Sequence, residues 1–207
     1  ASTPRDPLFA AIGARRTNRT VFDAKRAVSH DDLAQMLTAP DGYSADARRI
    51  APLRTIAMDA IRIEQMTHRT HQESVDLMRI GHAEIDAMPD GLALSGPLME
   101  SLALAGQLDR AQLADPQSTA FKTGLDMQAE VYGSTPALAW ITTPANSRAD
   151  QLEAGRRYVR ANLHATRLGL SVHPMSQALQ EYPEMAAQFA ALHQRLGAQP
   201  GSRIFLQ

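Results

Sequence analysis

The 207-residue chain contains no cysteine. Disulfides, thiolate nucleophiles and cysteine metal ligands are therefore excluded, and the redox compartment stays open. Lysine is nearly absent as well: Lys25 and Lys122 are the only two, so almost every basic residue is an arginine. Lys plus Arg is 21 against 22 for Asp plus Glu, a formal charge of -1. That balance gives no basic excess of the kind nucleic-acid binding needs. No apolar run approaches the roughly 18 residues of a membrane span. There is no Walker loop, no GxGxxG and no GxSxG, so the commonest nucleotide and serine-hydrolase signatures are missing.

What is present is a chain with 44% apolar residues, enough for one well-packed domain. No internal repeat or low-complexity tract interrupts it. The start, ASTPRD, suits either a processing cut or a plain boundary; a cytoplasmic location is expected, with periplasmic export left open.

Proline and glycine mark the joints. Pro7 to Arg16 reads as a short helix capped by Asp6, with Leu8, Phe9 and Ile12 on one side. SHDDL starts a second helix at Ser29, with Asp32 in the capping-box position, and it ends before Pro40. Residues 41–49 read as a polar joint. Arg54 to about Ile85 reads mostly as helix, and GLALSGP as a turn. Pro97 to Ala105 is a short helix, and Asp115 or Ser118 caps one that reaches Tyr132. Ala137 to Thr143 is apolar, partly β-branched and bounded by prolines, which reads as a buried strand. Arg148 to Leu168 is a long helix, with Gly169 suited to its C-terminal cap. SVHPMSQAL is a strand edge or loop, Pro183 to Leu196 a helix, and SRIFLQ a last strand. Strands and helices in this order imply an α+β layered domain. A core strand ending at Gln207 suggests a missing tail or a segment supplied by a swapped partner.

The densest chemistry lies in RRTNRT, Arg15 to Thr20. An arginine cluster after a short helix can be a solvated face, favourable at the negative end of the helix dipole. It can equally be an anion clamp, because the guanidinium fork matches phosphate bidentately. SVHPMSQAL gathers His173, Met175, Ser176 and Gln177 on a backbone shaped by Gly169 and Pro174, which suits either the face of a flat cofactor or an ordinary loop. Arg156, Arg157, Arg160 and Arg167 read as a solvated helix flank. Glu64, His68 and His71 share a helical face, but without HExxH they do not make a metal site, and none is expected.

Three stretches carry a resemblance: IGARRTNRTVFD; DGLALSGPLMESLALAGQLDR with TPALAWITT; and GRRYVRANLHATRLGLSVHPMSQALQE. In that order they resemble the nitroreductase-type FMN-dependent flavoproteins, closest to the fused-half, Acg-type branch. The resemblance implies an α+β sandwich with a central, mostly antiparallel sheet flanked by helices. It treats residues 1–207 as a single nitroreductase-like domain, or one half of a longer fused chain. FMN is the implied cofactor. The implied contacts are Arg15, Arg16, Thr17 and Arg19 for the phosphate, ribityl chain and pyrimidine edge. Pro174, Met175 and Ser176 would lie near the ring, with Ser134 and Thr135 near the ring or the dimer seam. No protein catalytic residue is required. The implied activity is electron transfer from NAD(P)H to a nitroaromatic or quinone-like acceptor, with flavin binding or storage without efficient turnover as the alternative. The implied partner is a second copy in a homodimer, or a second nitroreductase-like half. The relatives' continuation beyond the RIFLQ strand, which often carries a further basic residue for the phosphate, does not occur in this sequence.

Overall fold

The computed structural model describes residues 4–23, 25–37 and 41–206. Expectations resting on Ala1, Ser2, Thr3, Pro40 and Gln207 lie outside these residues. The chain divides into two compact units, Ala1–Ala60 with Val131–Gln207, and Ile61–Glu130.

The first unit is built on a three-stranded sheet, β1 (Gly42–Ser44), β4 (Leu138–Thr143) and β5 (Arg203–Leu206), in the order β1-β4-β5. Both pairings are antiparallel, Tyr43 facing Ala139 and Ile141 facing Phe205. β4 is the centre because its residues can be buried on both faces: Leu138, Ala139, Trp140 and Ile141 are all in the core. Two helices lie against the sheet. They are α1 (His30–Met36), which contacts β1, and α8 (Arg148–Arg167), which contacts both β4 and α1. The expected α+β architecture with an antiparallel sheet is what forms.

Local sequence explains most helix ends. Ser29 Oγ accepts the Asp32 N–H at 3.0 Å and starts α1. Ser147 and Asp150 make a reciprocal capping box for α8, in which each side chain accepts the other's backbone N–H. Gly169, at φ 67°, follows the C-terminus of α8, and Gly197, at φ 66°, ends α9 (Ala186–Leu196).

The differences from expectation have local causes. The first helix is only a 3-10 turn, Pro7–Ala11. Its buried residues are Leu8 and Ala11, three apart as that tighter winding requires, whereas Phe9 and Ile12 are exposed. Residues 41–49 hold strand β1 and the start of α2 (Ala47–Met66), not a polar joint. Asp46 accepts the N–H groups of Arg48 and Arg49 and caps α2, and Pro52 sits inside that helix.

The second unit replaces the expected long helix. α2 ends at Met66. There follow α3 (His68–Asp76), β2 (Met78–Ile80) and α4 (Gly81–Ala87), the last opening on Gly81 at φ 78°. The break at Thr67 removes the continuous face that Glu64, His68 and His71 would have shared. His71 is instead buried, 2.7 Å from the Leu113 carbonyl oxygen and edge-on to Phe121. GLALSGP is not merely a turn: it contains β3 (Leu92–Leu94), paired in parallel with β2. α5 (Pro97–Leu104), α6 (Arg110–Ala114) and α7 (Thr119–Gly133) complete the elements, Ser118 rather than Asp115 capping α7 through the Phe121 N–H. No described helix is long and apolar enough to cross a membrane.

Candidate functional site

The arginine segment and the 171–177 segment are far apart in sequence and adjacent in the first unit. Thr17 and Val172 form a parallel β-bridge. The Asn18 N–H donates to the Val172 carbonyl at 2.9 Å, and the His173 Nδ1 lies 2.5 Å from the Asn18 carbonyl oxygen. A third segment joins them, since the Phe22 N–H donates to Ser134 Oγ at 3.0 Å. Backbone and side-chain bonds thus fasten residues 17–22 between the end of α7 and the loop after α8.

The individual residues divide into two groups. Arg15, Arg16, Thr17 and Arg19 are exposed. Arg16 donates to the backbone carbonyls of Gly13 and Arg15, at 2.8 and 2.7 Å. Among the described residues none of the three arginines has a carboxylate partner, although Arg157 and Arg160 nearby in the same unit pair with Asp41 and Asp6. The second group faces inward. Met175 is fully buried and its N–H donates to the Leu206 carbonyl, which ties this loop to β5. Thr135 is buried, with its hydroxyl directed at the Val131 carbonyl and 4.0 Å from Met175 Sδ. Ser134, Pro174 and Ser176 are half-buried. Met175 and Thr135 therefore serve as supports beneath the loop, whereas the arginines remain available to an anion.

Burial governs the titration of the neighbours. It pulls His173 below the ordinary histidine range, the Asn18 carbonyl opposing and the Arg19 charge adding to the fall. The ring is therefore neutral near pH 7, with the proton on Nδ1 facing Asn18. Burial also raises the Tyr158 hydroxyl, while its hydrogen bond with Asn162 and the Arg15 charge work the other way.

Two supporting residues had no sequence signal. Tyr132 packs its ring edge-on to His173 at 5.4 Å and donates to Gln177 at 2.6 Å, bracing the loop from the end of α7. Arg26 donates to the Gly169 carbonyl at 2.8 Å, capping the negative end of α8 from 143 residues away. Arg26 also lines a cleft of about 180 Å³ with Phe22, Leu33, Ala137, Val172 and His173. Arg15, Arg16 and Arg19 do not line it.

The chemistry of the donor set fits a phosphate: three guanidiniums, without carboxylate partners among the described residues, lie on a segment held in place at Thr17, Asn18 and Phe22. The cleft itself is below the roughly 300 Å³ from which whole-ligand pockets start.

The sequence matches no known family profile and no curated protein. Two solved structures are similar, both of the FMN and NADPH-dependent nitroreductase NfnB from Sphigopyxis sp. strain HMH. The wild-type protein is 17% identical, with 97% of this chain and 85% of that chain covered, at a TM-score of 0.48. A point mutant of it is 15% identical, with 96% and 84% covered, also at 0.48.

Proposed function

We propose that the chain is a nitroreductase-like FMN protein that passes electrons from NAD(P)H to a nitroaromatic or quinone-like acceptor. The observation that carries this reading is the bridge between Thr17 and Val172. The two segments that the sequence resemblance assigns to the flavin, separated by some 150 positions in the chain (Thr17 to Val172), lie side by side. In this reading Arg15 and Arg16 hold the phosphate, and Thr17 adds a hydroxyl. Arg19 places positive charge at the pyrimidine edge, where it favours an electron-rich ring. Pro174 and Ser176 present the loop to the ring, and Met175 anchors that loop in the core. FMN, when bound, supplies the hydride chemistry at its ring, so no acid or base of the protein is required.

In this reading the exposed arginine segment leaves one side of the cofactor uncovered. Residues 1–207 therefore act as one nitroreductase-like half. The other half is a second copy of the chain or, if the resemblance to the fused Acg-type branch extends to architecture, a second half of the same polypeptide.

The test is the absorption spectrum of concentrated protein after incubation with FMN and exhaustive dialysis. Retained flavin bands that bleach anaerobically on adding NADH or NADPH, and return on adding a nitroaromatic or a quinone, are the expected result. Retained bands that resist both reductants would replace electron transfer by flavin storage. No retained flavin at any protein concentration would overturn the reading.

A further inference from the structure

Of the residues that the resemblance assigns to the flavin, Thr135 alone lines the cleft beside the arginine segment. Its walls are apolar, with Phe22, Val28, Leu33, Met36 and Ala137 among them. Leu33 and Met36 belong to the packed cluster that also contains Val172. A volume of about 180 Å³ is that of a single ring. An apolar protein cavity of about 150 Å³ takes up benzene.

One polar group in the wall is conspicuous. His173 lines the cleft and turns Nδ1 toward the Asn18 carbonyl. Nδ1 must carry the proton there, so Nε2 of the neutral ring is an acceptor. Among the described residues no donor reaches it. Tyr132, the ring's aromatic neighbour, spends its hydroxyl proton on Gln177. Nε2 is not a buried unsatisfied atom, so solvent reaches it and a ligand hydroxyl can take the place of water there. The cations point elsewhere. Arg26 is the cationic side chain in the lining, and its guanidinium is directed at the Gly169 and Leu168 carbonyls, at 2.8 and 3.4 Å. Asp23 shares the lining and repels a carboxylate.

We propose that this cleft is a second ligand site, independent of flavin, for a single-ring phenol whose hydroxyl donates to His173 Nε2 while the ring lies against Leu33, Met36 and Ala137. The Asp23 charge rejects ring carboxylates.

The experiment titrates phenol, toluene and benzoate into flavin-free protein, followed by saturation-transfer NMR and by the methyl signals of Val28 and Met36. Phenol is expected to saturate, with toluene and benzoate both weaker. His173→Phe keeps a ring in the wall and removes the acceptor. It should lower phenol affinity by about two- to tenfold, the worth of one net hydrogen bond, and leave toluene unchanged. Ala137→Phe fills the cleft and should abolish phenol binding. If that variant does not fold, as judged by circular dichroism, Val28→Phe fills it from the half-buried side with the same expected result. Phenol that never saturates, or that binds His173→Phe as tightly as the parent, would overturn the proposal. Benzoate binding more tightly than phenol would overturn it as well, by assigning the site to Arg26.

Discussion

Arg15, Arg16 and Arg19 differ from Arg157 in what they touch. Arg157 is largely buried against Asp41 at 2.6 Å and also donates to the Thr142 carbonyl, so it is a structural residue tying α8 to the sheet. Among the described residues the RRTNRT arginines have no carboxylate partner, and they are exposed to solvent. Arg15→Ala should therefore leave folding intact and weaken FMN binding by about ten- to a hundredfold. Losing one charge-assisted hydrogen bond is worth roughly 1.5–3 kcal/mol. A fluorescence-quenching titration measures it, and an unchanged dissociation constant would remove Arg15 from the site. The second unit offers a pH prediction. Arg110 donates to both carboxylate oxygens of Glu84, at 3.0 and 2.6 Å, and the Ile80 N–H adds a third bond. Arg110 first and Ile80 second hold Glu84 down to about 2 from its ordinary 4.5. A carboxyl with a depressed folded-state pKa stabilises fully above the unfolded value and loses that contribution as pH falls through the folded one. Stability should thus decline between pH 4.5 and about 2. In Glu84→Gln this part of the decline should disappear from acid-unfolding curves, while the variant is less stable at pH 7. A curve of identical acid slope would assign the acid sensitivity elsewhere.

At the scale of elements, the sheet of the first unit depends on a close approach. β1 is only three residues long, and Gly42 lies opposite Trp140 in the ladder. A Cβ at position 42 would run into the Trp140 indole. Gly42→Ala should therefore push the indole or the strand aside, at about 1–3 kcal/mol for overpacking. Urea unfolding measures the loss, and a shift in the emission of Trp140, the single tryptophan, reports the displacement; neither change would mean that β1 yields freely. β1 was illegible in the sequence for the same reason. DGYSAD has too few apolar residues to announce a strand, and its pairing is dictated by β4, nearly a hundred positions away. β4, α1 and α8 were legible because their signals are local: a proline-bounded apolar run, and serine caps with an acid three residues later. The expected helix from Arg54 to Ile85 failed because apolar residues at imperfect spacing cannot report a break at Thr67 or a parallel partner at Leu92–Leu94.

At the scale of the molecule, the prediction concerns completeness. In the proposed reading the first unit contributes the exposed arginine segment and the loop after α8, which leaves one side of the cofactor to a second half. Flavin retention is therefore expected to depend on association. In sedimentation experiments monitored in the visible region, flavin should travel with a dimer, and dilution that dissociates the dimer should release it. Flavin sedimenting with a monomer would show that one chain suffices.

The sequence by itself determined the composition of the candidate site and the elements near it. The absence of cysteine excluded thiol chemistry, the arginine cluster supplied donors without lysine, and caps, prolines and glycines placed the ends of α1, α8, α9 and β4. These are effects of neighbours in the chain, acting through dihedral preference and through hydrogen bonds within a turn. Only the tertiary structure decided which site residues support and which are available. Met175 and Thr135 resemble their neighbours on paper, yet burial makes them foundations, while Arg15 and Arg19 stay in solvent. It also decided that Thr17 meets Val172, that Arg26 caps α8, and that His173 faces a cleft with one nitrogen committed to Asn18. Those pairings follow from burying β4 and packing α1 and α8 around it. Burial of that kind is a property of the whole chain's apolar surface, which no local pattern encodes.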